Sequence, residues 1–202
     1  MSEYIRNNDV VKNYKELQKI KPHLTFEHGL EAMTKLFTLH DYSMFTVMEQ
    51  EVGTDRAVNL YANVWRLRSK LEWPSLCEAI GKKPEDKFTI DDIANIMIAS
   101  FDDFGNPMKV VEGTEDRVTL RNYDCPYTTQ VIWNMFSPED AMAFNMKIQQ
   151  QCNHAIFETY LKLARLDDQW HFSFPSQLCM TNQYCEFTFL RKKGKQVAVP
   201  EP

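Results

Sequence analysis

The chain has 202 residues, 44% of them hydrophobic, which is enough for one sizeable core and argues for a single domain rather than two. Its net charge is −5, and Lys and Arg are spread along the sequence with no basic block, so a nucleic acid partner is excluded as an expectation. The first residues show no basic and apolar leader, no apolar run approaches bilayer length, and the five cysteines are irregularly spaced. The expectation is therefore a cytoplasmic, non-membrane protein with reduced thiols.

Taken in chain order, the first half reads as helical. A stretch from about Phe26 to Glu51 carries Leu30, Met33, Phe37, Phe45 and Met48, with a break expected around Thr38 to Asp41. Gly53-Thr54-Asp55 supplies a stop and a cap. In the next helix Leu60, Val64, Leu67 and Leu71 recur at the spacing of one face, widened by Ala57, Tyr61 and Trp65, and this face is expected to be the core side, with the helix ending near Pro74. A short helix with Leu76 and Ile80 is expected after Pro74, and another, capped by Thr89, from Ile90 to about Phe104.

From Met108 the period changes to two. Met108 to Glu112 and Arg117 to Tyr123 flank Gly113-Thr114-Glu115-Asp116 and predict a β-hairpin. Ser137-Pro138-Glu139-Asp140 combines an N-cap, a proline at the first helical position and acidic residues at the positive end of the helix dipole, opening a helix that runs to Leu163. Two strands follow, Trp170 to Phe174 and Tyr184 to Leu190. Trp170, Phe172 and Phe174 share one face, as do Cys185, Phe187 and Phe189. The fold class is α+β: an N-terminal helical layer packed with a small antiparallel sheet and a long helix in the second half. Residues 1–193 form the domain, helical to about 104 and sheet-containing from about 105, and residues 194–202 are a polar, flexible tail.

The chemistry-bearing residues are the cysteines. Cys125 ends a strand and precedes Pro126, which keeps it extended and presents its side chain. As a nucleophile it needs a base, for which His154 and His171 are the candidates, with Asp124 to orient the imidazole. The other reading is a strand-end packing residue. Cys152 and Cys185 fall on apolar faces and read individually as core. Together with Cys125 and Cys179 they also offer four thiolates for zinc or iron, the alternative to a protein without cofactor. His40-Asp41, at the expected break, either lines a pocket or caps the next turn, with capping by Asp41 preferred. Trp65 and Tyr127 belong to an aromatic set that builds core and can also wall a pocket for a flat ligand. Phosphate loops, Gly-x-Ser-x-Gly elbows, His-Glu-x-x-His and Cys-x-x-Cys pairs are absent from the sequence.

The segments His40-Asp41-Tyr42-Ser43-Met44-Phe45 to Asn63-Val64-Trp65, Val118 to Tyr127 with its Cys125-Pro126-Tyr127, and Tyr184-Cys185-Glu186-Phe187-Thr188-Phe189 resemble the family named for L-2-amino-thiazoline-4-carboxylic acid hydrolase, in particular an uncharacterised bacterial branch of it. The resemblance covers roughly residues 26–191, and tyrosine stands at 127 where the family typically has tryptophan. It implies a cofactor-independent hydrolase opening a C–N or C–S bond of a small cyclic or amide-like compound, with Cys125 as the thiolate. The competing class is a non-enzymatic small-molecule-binding or sensor protein on a similar scaffold, related in outline to 4-vinyl reductase domains. A homodimer is a further expectation, because the helical half has more apolar residues than one layer over a small sheet must cover.

Overall fold

The computed structural model describes residues 15, 16, 19, 25–102, 107–125, 137–178 and 183–192. The sequence expectations for Pro126, Tyr127, Cys179 and the tail 194–202 concern residues outside the described ones. The described elements are α1 (Phe26–Val52), α2 (Thr54–Ala79), α3 (Ile90–Asp102), β1 (Met108–Gly113), β2 (Arg117–Asn122), α4 (Pro138–Leu163), β3 (Trp170–Ser176) and β4 (Cys185–Arg191). The α+β class and the order of elements agree with the sequence reading.

Local chemistry sets most boundaries. Thr25 caps α1 by accepting from the His28 N–H. Gly53, at φ 78°, closes α1 and opens α2, a left-handed position that glycine fills without a Cβ penalty. Thr89 caps α3, its Oγ1 accepting from the Asp92 N–H at 3.3 Å. Ser137 caps α4 by accepting from the Asp140 N–H at 3.1 Å. The sheet has the order β1-β2-β4-β3, antiparallel throughout. The register is broken in both outer strands, between Val110 and Glu112 in β1 and between Ser173 and Ser176 in β3.

One sheet face is apolar. Val118 pairs with Phe189, which pairs with Phe172, and Leu120 pairs with Phe187. The alternation expected for Phe172, Phe174, Phe187 and Phe189 is thus observed, and all four are buried. The opposite face carries Thr119 and Thr188, whose hydroxyls lie 3.3 Å apart, and the Arg121–Glu186 ion pair at 2.8 Å.

Helix α4 lies over the apolar face. Phe157, fully buried, meets Phe172 at 4.8 Å between ring centroids, Phe187 at 5.5 Å and Phe101 of α3 at 5.9 Å. These rings form the centre of a cluster that includes Trp73, Ile96, Tyr160 and Leu161. A second cluster, Phe45, Ala57, Tyr61, Ile148 and Cys152, joins α1, α2 and the middle of α4.

Three sequence expectations are corrected. Helix α1 runs without a break through Thr38 to Asp41, so Asp41 caps nothing; it is a buried residue in the middle of the helix. Helix α2 continues through Pro74 to Ala79, and no separate short helix follows it. Its core side is shifted to one flank of the expected face: Ala57 and Tyr61 of that face are buried together with Ala62, Ser69, Trp73 and Leu76, while Leu60, Val64, Leu67 and Leu71 are exposed. Ala57 packs with Ile148 and Cys152 of α4, and the Trp73 ring lies 5.9 Å from that of Tyr160 on the same helix.

Phe157→Ala should cost about 3–5 kcal/mol of unfolding free energy, measured by urea denaturation, because it empties the space between sheet and helices. Phe157→Leu, which keeps most of the volume, should cost less.

Candidate functional site

A cavity of about 310 Å³ opens at the seam between the two clusters. Four helices and the sheet contribute to its wall. From α1 come Phe37 and Asp41, from α2 Tyr61, Trp65, Arg68 and Glu72, from α3 Ser100 and Phe101, from α4 Ile148, Cys152 and Ile156, and from β4 Phe187. Cys125, just beyond β2, completes it. The volume is at the small end of the range of ligand pockets.

Its polar groups come from several elements, Asp41 of α1, Ser100 of α3 and Gln149 and Asn153 of α4 among them, and the charged pair comes from α2. Residues 61, 65, 68 and 72 form one stripe of α2, because spacings of four, three and four residues stay on one helix face. Arg68 binds Glu72 at 2.9 Å, and its guanidinium lies 4.8 Å from the centre of the Trp65 ring. The Tyr160 hydroxyl donates to the other Glu72 oxygen and sits 3.4 Å from Ser100 Oγ. The Tyr160 phenol is pushed well above its usual range, first by burial and then by the Glu72 charge. It stays a donor. The Trp65 indole N–H is buried and has no hydrogen-bond acceptor among the described residues. Such a buried donor carries a desolvation cost that a ligand acceptor would relieve.

Asp41 is 5% exposed, and burial raises its carboxyl above the ordinary aspartate value of 3.8, with the nearby Tyr61 hydroxyl opposing the shift.

The cysteines separate into two groups. Cys125 is half-buried and Cys152 is buried, and both line the cavity. Burial, followed by the Asp41 charge, pushes the Cys152 thiol far up, which keeps it protonated. Cys185 packs against the sheet-side cluster, where its sulfur accepts from the Leu178 N–H at 3.2 Å. Cys77 is buried in the same cluster, and desolvation pushes its thiol up to about 11. Folding therefore brings together the Cys125 and Cys152 sulfurs at one concavity and leaves Cys185 elsewhere. Among the described residues, no three His, Cys, Asp or Glu side chains are grouped to hold a metal ion.

The proposed bases do not line the cavity. The His154 ring packs edge-on against Phe172 at 5.0 Å, and its Nδ1 lies 3.3 Å from Glu158. His171 is exposed on the polar face of β3, across from Leu190. Asp124 and His40 are exposed. Of the binding residues expected from the sequence, Asp41 and Trp65 are in the wall. Arg68, Glu72, Ser100 and Tyr61 were not anticipated. For Tyr61, Arg68 and Glu72 the signal is a run of charged and aromatic residues at helical spacing beside a wholly apolar one, where an ordinary solvated face would be polar throughout.

No family model matches the chain, and no curated protein matches it. Among solved structures, the crystal structure of a trafficking protein particle complex subunit 3 from Naegleria fowleri covalently bound to palmitic acid aligns with a TM-score of 0.55 at 11% identity, covering 80% of this chain and 96% of that one. The likeness is one of fold. Among the described residues, no helix is long and apolar enough to cross a membrane.

Folded Asp41 holds its proton more tightly than unfolded aspartate, so the stability this adds is present at low pH and is lost as pH rises above 3.8 and through the raised folded value. Melting temperatures of Asp41→Asn followed against pH should lack that decline and should equal or exceed wild type at pH 7.

Proposed function

We propose that the protein binds a small amphipathic molecule in the cavity without transforming it. The molecule's hydrocarbon part would lie against Phe37, Phe101, Ile148, Ile156 and Phe187, and an acceptor end group would meet the Trp65 N–H and Arg68. The observation that carries this reading is the unsatisfied Trp65 donor in the wall of an otherwise largely hydrocarbon-lined space. The palmitic acid on the Naegleria fowleri protein makes a fatty acid the first ligand class to carry over. We place the protein in the cytoplasm and attach a homodimeric assembly to this reading.

A second reading follows from the position of Cys125. It is half-buried on the cavity wall, as a nucleophile toward a bound heterocycle would be, which is the arrangement implied by the hydrolase resemblance. In that reading the thiolate adds to the C=N carbon of a thiazoline-type ring, the tetrahedral adduct collapses with cleavage of the ring C–S bond and the ring sulfur leaves as a thiol, and water then hydrolyses the resulting S-linked isothiourea to give the ring-opened urea and the free Cys125 thiol. The proton transfers would need a base other than His154 or His171 in their present positions.

Calorimetric titration with dodecanoic acid tests the first reading. Binding should weaken about five- to tenfold in Trp65→Phe, which keeps the ring contacts and removes the donor, and should be abolished by Ile148→Trp, which fills the space. Failure of dodecanoic acid to bind the wild-type protein would reject a fatty acid ligand. Turnover of 2-aminothiazoline-4-carboxylate by the wild type, lost in Cys125→Ser with the fold retained, would establish the second reading instead.

A further inference from the structure

We propose that two copies of the chain pair through the outer face of α2, antiparallel and related by a two-fold axis that passes near Trp65 and Arg66.

Leu60, Val64, Leu67 and Leu71 form an uninterrupted stripe on the side of α2 turned away from the core, and they are 39, 44, 58 and 74% exposed. Leaving four large aliphatic side chains in water on one helix face is costly, and it is a feature of surfaces that are covered in the working protein. Together they present on the order of 400 Å² of hydrocarbon, as much as the largest patch of an ordinary monomer. A stable interface needs roughly 800 Å² per partner, a little over half of it apolar, so this stripe with its polar flanks has the size and composition of one half of a dimer contact.

The occupant is specified by symmetry. The spacings from Leu60 to Val64, Leu67 and Leu71 are four, three and four residues, which read the same in both directions. An antiparallel copy centred between residues 65 and 66 therefore sets Leu60 against Leu71 and Val64 against Leu67, with every apolar residue opposite another. This is the self-complementarity that an isologous contact requires.

Charge fixes the direction. The stripe ends at exposed Arg56 on its N-terminal side and at exposed Glu78 on its C-terminal side. In the antiparallel pair Arg56 of each copy lies ~4.5 Å along the axis from Glu78 of the other, within reach of two long side chains. A parallel pair would place Arg56 on Arg56 and Glu78 on Glu78.

The contact also adjoins the cavity. Val64, Leu67 and Leu71 line a shallow groove together with Arg68 and Glu72, which are at the same time residues of the cavity wall. Pairing would cover the outer side of that ion pair and shield it from water.

Light scattering coupled to size exclusion, followed by sedimentation equilibrium, tests the proposal on the full chain. The wild type should run at twice the 23.8 kDa of one chain. Leu67→Glu combined with Leu71→Glu should give monomers with an unchanged circular dichroism spectrum, since both residues are exposed. Arg56→Glu and Glu78→Arg should each weaken association about tenfold or more, and the double variant Arg56→Glu/Glu78→Arg should restore it, because each exchanged charge meets its exchanged partner across the axis. A wild-type chain that is monomeric at 100 μM would overturn the proposal and assign the stripe to a different polypeptide. A dimer that survives Leu67→Glu/Leu71→Glu, or a double charge exchange that weakens association beyond either single variant, would overturn it as well.

Discussion

Helix α4 belongs to two hydrophobic clusters at once, and the rest of the arrangement depends on this sharing. Its C-terminal end holds Phe157, Tyr160 and Leu161 against the sheet and α3, while its middle holds Ile148 and Cys152 against α1 and α2. One rigid element thus fixes the distance between two packed regions that have different shapes. Close packing is achieved within each, where rings and small residues interlock, and the mismatch collects between them as the cavity.

The seam is also where the chain buries its costly groups. Arg68, Glu72, Tyr160 and Ser100 form a connected set, so the charge on Glu72 is met by a guanidinium and a phenol and is not left alone. Asp41 and the Trp65 N–H are less well provided for, the first paying by a raised pKa and the second by a missing acceptor. Polar groups under strain of this kind, clustered around one void, mark the place where packing has been given up for something other than stability.

Much of the fold was legible because it rests on local rules. Ser137-Pro138 with its acidic pair can hardly be anything but a helix start, and the hairpin and the alternating phenylalanines of β3 and β4 follow from a period of two. Helix α2 shows where such rules stop. It carries two adjacent stripes of identical spacing, one of Leu60, Val64, Leu67 and Leu71 and one of Tyr61, Trp65, Arg68 and Glu72. Periodicity finds both and prefers the purely aliphatic one for the core, yet the chain buries the mixed one. What decides is tertiary: Ala57 packs with Ile148 and Cys152 of α4, and Glu72 accepts from the Tyr160 hydroxyl of α4, contacts that sequence spacing does not reveal. The same limit applies to the site. Cys125, Cys152, Asp41 and Trp65 were named from their residue types and do meet at one cavity, whereas the pairing of Cys125 with His154 or His171 assumed an approach across elements, and the packing of His154 on Phe172 places that ring elsewhere.

The broken register of the two outer strands has a consequence for how this molecule meets its neighbours. In β1 the irregularity falls at Val111, and in β3 it coincides with Pro175, which has no N–H to offer. Neither rim of the sheet therefore presents a regular row of free donors and acceptors onto which a foreign strand could zip. Open-ended polymerisation through strand pairing is thereby disfavoured at both margins, whereas contacts made through the helical side can close upon themselves and stop growing.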